Sequence, residues 1–211
     1  MSRTNVGLWS TTSAEAAVVG GNRVTSQRIT DVILRCFDAS AASQGCLNNL
    51  TFGKTSRFDA EMASTSPDMG TTKRSQVARA RDLDGTARTA SIGGQGRFRG
   101  GEGCIRDIEF REPLSAAILS DRRVHAPYGL HGGSPGAKGL NLFIKKTPDR
   151  EEDRVINLSS KNSTQAQKGD RIVVITPGGG GWGAPDDGSP AVDLVKASQS
   201  AASTIERIRT N

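Results

Sequence analysis

His125 and His131 stand six positions apart across "HAPYGLHGG", with Arg123 just upstream. An imidazole is the side chain best suited to moving protons near neutral pH. It acts as a catalyst only when a carboxylate or nucleophile is brought beside it, and the sequence places none nearby. No H-x-x-x-H, G-x-S-x-G or clustered Asp/Glu pattern occurs. A lone loop histidine of this kind reads first as polar surface. Two more cations, Arg97 and Arg99, sit in "GGQGRFRGGEG". They can meet a carboxylate or a partner chain, but a tight glycine turn with solvated arginines is the simpler reading. If the chain itself turns over a substrate, His125, Arg123, Arg97 and Arg99 are the first candidates for catalytic groups. The residues alone assign no metal ligand and no cofactor-binding residue.

The glycines raise the question of phosphate. "FGKTS", Phe52 to Ser56, looks like part of a phosphate loop, but the earlier glycine that such a loop needs is Asn48. In "GGQGRFRGG" the third glycine of a dinucleotide fingerprint falls on Arg99. "TPGGGGWG", from Thr176, follows a strand pattern. Four glycines in a row permit positive φ and close backbone approach. Two uses stay open: an anion-binding nest, or a packed turn anchored by Trp182.

These loops need elements to hold them. "VTSQRITDVILRCFDA" puts Ile29, Val32, Ile33, Cys36 and Phe37 on one helical stripe, with Thr25 or Ser26 to cap it. Arg28, Asp31 and Arg35 fall off the stripe, and Cys36 reads as a core residue. The stretches "CIRDIEF", "LSAAILS", "LNLFIKK", "RVINL" and "RIVVITP" read as short strands, the last entered through the turn-like "QKGD". Residues 54–90 are poor in apolar side chains and read as exposed loop or disorder. Residues 187–211 read as a tail with weak helical character. The expected fold is α+β and β-rich: glycine-rich loops joining short strands, an amphipathic helix near the N-terminus, and a weak C-terminal helix.

Composition narrows the function classes. The net charge of +6 is spread among acids, and no arginine run is interleaved with aromatics, which argues against nucleic acid. Three widely spaced cysteines fit neither a disulfide framework nor a zinc site, and suit a reducing compartment. No apolar run is long enough to span a membrane and no leader is evident. The expectation is a cytoplasmic protein.

Five stretches carry a resemblance: "AEAAVVGGNRVTSQRITDVIL", "SAASQGCLNNLTFG", "GGQGRFRGGEGCIRDIEFREP", "LSDRRVHAPYGLHGGSPGAKGLNLFIKK" and "KGDRIVVITPGGGGWGAP". In this order they closely resemble the C-terminal part of the 5-oxoprolinases of the hydantoinase B/oxoprolinase family, over residues 14–53 and 93–186. The expected organisation is a partial family region, 14–186, interrupted by the divergent segment 54–90. The resemblance implies an amidohydrolase that opens the lactam of 5-oxo-L-proline to glutamate, coupled to ATP hydrolysis, in glutathione turnover. The full-length family uses ATP and magnesium, and its ATP-using half resembles hydantoinase A. It also implies a partner: that half, or a complete oxoprolinase chain; self-association stays open. The departure is equally informative. No histidine lies between Gly53 and Gly93, where the family carries a histidine-bearing stretch. The chain is therefore expected to be a fragment or truncated paralogue, inactive alone, or a catalytically dead binding or assembly module.

Overall fold

The computed structural model describes residues 24–53, 61–63, 78–80, 88–90, 92–147 and 153–185. Helix α1 spans Ser26–Cys36. Ten strands follow: β1 Asn49–Gly53, β2 Glu61–Ala63, β3 Ala78–Ala80, β4 Arg88–Ala90, β5 Gly103–Phe110, β6 Leu114–Leu119, β7 Leu140–Lys145, β8 Arg154–Asn157, β9 Lys161–Ala166 and β10 Arg171–Ile175. The protein is α+β and rich in strand, as its sequence implies. The expectation of a C-terminal helix falls outside the described residues. So does that of disorder over 54–90, except for β2, β3 and β4.

The strands form two antiparallel sheets. One has the order β2-β1-β6-β9; the other has β3-β5-β10-β7-β8, with β4 also on β5. Alternation sets the register. Leu50 and Phe52 of β1 lie opposite Ile118 and Ala116 of β6, and Ile172 of β10 lies opposite Phe143 of β7 and Ile108 of β5. These side chains, with Phe110, Leu114, Ala166 and Val174, form one buried cluster between the sheets. Phe52 and Phe110 meet edge to face across it, ring centres 5.7 Å apart. The opposite face of β7 and β10 buries Leu142, Ile144, Val173 and Ile175 in a second cluster. β10 is therefore covered on both sides, which is why its sequence is continuously apolar. In β5 the inward positions are 104, 106, 108 and 110, and the third of these four to follow the chain, Ile108, is preceded inward by a buried Arg106. That arginine hides the alternation in the sequence.

The "QKGD" turn forms as its residues suggest. Gly169 takes φ +89° and the Asp170 carboxylate accepts from the N–H groups of Gln167 and Lys146.

The helix forms where the periodicity puts it, but it is turned over. Its apolar stripe faces solvent: Ile29, Val32, Ile33 and Phe37 are exposed, Phe37 by 79%. Cys36 is exposed with them rather than in the core. The residue buried in the helix is Asp31. Thr25 has helical dihedrals and makes no side-chain cap. The reason is electrostatic. Asp31 accepts from Arg122 at 2.7 Å and from the Ser43 N–H at 3.0 Å, and Tyr128 donates its hydroxyl to the Asp31 carbonyl. Arg28 pairs with Asp121, and Arg35 lies over the Tyr128 ring. The polar side of the helix has partners in this chain, so that side docks.

The glycine loops pack against one another, backbone on backbone. Residues 92–101, 127–139 and 177–184 run side by side. Gly94 donates to the Gly179 carbonyl, Leu130 to Gly181, and Gly181 to Ser134. Trp182 bridges Phe98 on one side and Leu130 on the other. None of Gly178 to Gly181 has positive φ; among these loops that conformation falls on His131, Gly132 and Gly183. The run of glycine serves close approach. A Cβ on Gly180 would overlap the Tyr128 carbonyl oxygen, and one on Gly94 would overlap that of Ser134. Gly101 has open space around it, and a Cβ on Gly179 would come no closer than 3.0 Å, to the Gly101 amide nitrogen.

A graded effect follows. Gly180→Ala should cost about 3 kcal/mol, a fall in melting temperature of roughly 6–12 °C for a chain of this size. Gly179→Ala should cost less, and Gly101→Ala should leave stability unchanged or slightly raised. Thermal denaturation of the three variants checks this order, and equal effects would contradict the packing.

Candidate functional site

The residues after β6, "SDRRVH", carry two of the sequence-derived candidates. They build a polar node rather than an open pocket. Ser120 is buried and holds the Ser160 carbonyl through both its amide and its hydroxyl. Arg122 takes a positive φ of 59°, which throws its side chain toward Asp31 and that of Arg123 the other way, into the body of the protein. Arg123 then fills its fork. One terminal nitrogen donates to Asn48 Oδ1 at 2.5 Å and to the Asp121 carbonyl at 2.6 Å. The other donates to Asn141 Oδ1 at 2.7 Å and the Ile175 carbonyl at 3.4 Å. All four terminal N–H bonds are thereby used, which ties the loop before β1 to the start of β7 and the end of β10.

Burial lowers Arg123 to about 10, against Cys46 and Asp121, which pull it back up. It stays cationic near neutrality. Burial likewise lowers Arg122, with Arg28 adding to the effect and Asp31 opposing it. Cys46 is buried beside this node, and its sulfur accepts from the amides of Asn48 and Asp121. Asn141, fully buried, donates to Ser120 Oγ and the Ser159 carbonyl. Every one of these contacts orders chain.

The remaining candidates lie in other surroundings. His125 is exposed. Arg99 is exposed and pairs with Glu102 at 2.6 Å, whose other oxygen accepts from the Gly93 amide. Arg97 lies over the Phe98 ring and under Gly183. His131 packs edge-on to Trp182, with its Nε2 3.7 Å from Asp38. The structure therefore does not gather His125, Arg123, Arg97 and Arg99 into one pocket: one is held inside a filled fork, and three face solvent. Among the described residues no three His, Cys, Asp or Glu side chains come together as a metal site.

The question left open for "TPGGGGWG" has a geometric answer. Gly178, Gly179, Gly180, Gly181, Trp182 and Gly183 donate their amides to the carbonyls of Ala137, Gly101, Ala42, Ser134, Phe98 and Leu130 in turn. An anion nest needs those N–H groups free, and six successive ones are committed. The stretch is a packed turn. Sequence reading missed Asp31, Arg122, Asn48 and Asn141 as a set, because their partners are distant: Asp31 and Arg122 are 91 positions apart.

Arg123 can be tested for a holding role. Arg123→Lys keeps the charge but cannot serve four acceptors in one plane. It should cost about 2 kcal/mol, as buried acceptors lose their donors. Arg99→Ala, at an exposed pair, should stay within about 0.5 kcal/mol. Chemical denaturation of both variants decides; an unchanged Arg123→Lys would free Arg123 for another role.

The sequence profile described as Hydantoinase B/oxoprolinase matches residues 3–78 and 83–185. An uncharacterized protein of Schizosaccharomyces pombe is 41% identical over 94% of this chain and 17% of its own length. The 5-oxoprolinase 1 of Arabidopsis thaliana is 39% identical over 86% of this chain and 15% of its own. A nucleotide-free acetone carboxylase structure shares the fold at a TM-score of 0.54 and 14% identity, over 80% of this chain and 34% of that one. The chain thus spans about one sixth of the length of the curated relatives it matches. On the profile match and these identities, the chain belongs to the hydantoinase B/oxoprolinase family.

Proposed function

We propose that this chain is the architectural C-terminal portion of a 5-oxoprolinase-type hydrolase, a fragment or truncated paralogue, and that it does not turn over 5-oxo-L-proline by itself. The observation that carries this reading is the six committed amides of the 178–183 turn. The most conspicuous candidate for phosphate binding is occupied by the protein's own backbone.

A lactam is a poor electrophile, so its opening needs both activation and water delivery. ATP would supply the activation by phosphorylating the amide oxygen, with ADP leaving, so that the ring carbon becomes a better electrophile. The 178–183 turn does not fit as its phosphate cradle, because its amides are committed to carbonyls of the same chain. Hydrolysis would also need a base to take a proton from water. His125, two positions after Arg123, is exposed, and among the described residues no carboxylate pairs with it as a general base would need. What the chain offers instead is rigidity: interlocked backbone and a filled arginine fork, the kind of support that keeps catalytic groups of other segments in place.

The partners that suit this role are a hydantoinase A-like ATP-using half or a complete oxoprolinase chain, in the cytoplasm where the reduced cysteines are at home. No helix of the described residues is long and apolar enough to cross a membrane. A second reading, a binding module for a complete oxoprolinase, gains support from the outward-facing apolar helix.

Glutamate release from 5-oxo-L-proline with ATP and magnesium is the test. The purified chain should give none: alone it has no ATP-using half, and with a separately made one it would still lack the base or metal set that delivers water. Turnover by the chain alone would overturn the proposal and make His125, Arg123, Arg97 and Arg99 the residues to replace first.

A further inference from the structure

The described residues leave one large apolar surface uncovered, and it is helical. Ile29, Val32, Ile33, Leu34 and Phe37 are exposed by 45%, 59%, 49%, 36% and 79%. Single exposed apolar residues are ordinary, but four on one short helix and a fifth at its C-cap are not. The strip also cannot be hidden by rolling the helix inward. That would pull Asp31 away from Arg122, Ser43 and Tyr128, and Arg28 away from Asp121. Stripping one partner from a buried ion pair is strongly unfavourable. The polar underside therefore locks the apolar side outward.

We infer that this face is the seat of the rest of a full-length family chain: the polypeptide that surrounds the matched region in long oxoprolinases covers Ile29, Val32, Ile33 and Phe37 with its own apolar residues. The inference rests on the family reading above and adds the surface by which the region is held. Length is the argument for this occupant. The family match begins at residue 3 and runs through α1, so the helix is part of the shared region. That region is 17% and 15% of two long relatives, and some five-sixths of each is available to cover it. The fit is of the helix-in-groove kind, read as anchors at i, i+3, i+4 and i+8. Asp38, His131, Phe98 and Trp182 continue the surface beyond the helix C-terminus, which makes the edge of the glycine loops part of the same contact.

Paired variants test this without an activity assay, so the outcome is independent of whether the chain is catalytic. In this chain, Val32→Asp with Ile33→Asp should leave the melting temperature within about 2 °C, since exposed positions tolerate charge. In full-length Arabidopsis 5-oxoprolinase 1, aspartates at the two aligned positions should lower the melting temperature by 5 °C or more, on the order of a buried charge. Thr30→Asp and its aligned counterpart serve as the control in both proteins. Alkylation of Cys36 by N-ethylmaleimide should be fast in this chain. The inference fails if the full-length enzyme is as tolerant as this chain. It also fails if the double substitution destabilises this chain, which would mean that its own residues cover the face. A dimer of this chain that the substitutions dissolve, seen by light scattering, would assign the face to a second copy instead.

Discussion

The close approach of the glycine segments is the constraint on which the rest of the structure depends. Residues 92–101, 127–139 and 177–184 exchange amide–carbonyl bonds with almost no side chain between them. Each segment adjoins one of the paired strands: the first enters β5, the second enters β7, and the third leaves β10. Those strands are neighbours in the larger sheet. The sheet brings the loops together at one end, and the loops fix the spacing of the strand ends. Trp182 closes the arrangement, flanked by Phe98 and His131.

A second layer of order is ionic. Asp31, Arg122 and Arg123 join the helix, the loop before β1 and the ends of two strands through charge-assisted bonds. This layer holds what the hydrophobic clusters do not reach. The helix has no residue in either cluster. Its attachment to the body is polar, so its position is set by direction and not by general apolar contact. That is how a helix with a clear apolar stripe comes to sit with the stripe in water.

Much of the sheet was legible in the sequence, and the reasons for the gaps are specific. β5, β6, β7, β8 and β10 were marked by branched residues between turn formers. β9, "KNSTQA", was not, because an edge strand with only Ala166 buried has no need of apolar alternation. β1 hid its Leu50 and Phe52 among asparagines and glycine. The helix was found but its orientation was not: periodicity says which side is apolar, and only distant partners say which side is covered. The same limit applied to the polar node. Arg123 could be suspected from its cation, while the fork that occupies it comes from Asn48, Asp121, Asn141 and Ile175, far apart in the chain. The glycine turn was readable as two alternatives, and only the partners of its amides could separate them.

The glycine segments also bear on what a family likeness transmits. At Gly94, Gly133 and Gly180 any side chain would strike a neighbouring backbone, so the identity of the residue is dictated by geometry alone. Such a position cannot drift by small steps, and it reads the same whether the chemistry around it is working or lost. A stretch like "TPGGGGWG" is therefore a durable signature of lineage and a silent witness on activity. Two descendants of one hydrolase, one active and one not, would share it letter for letter.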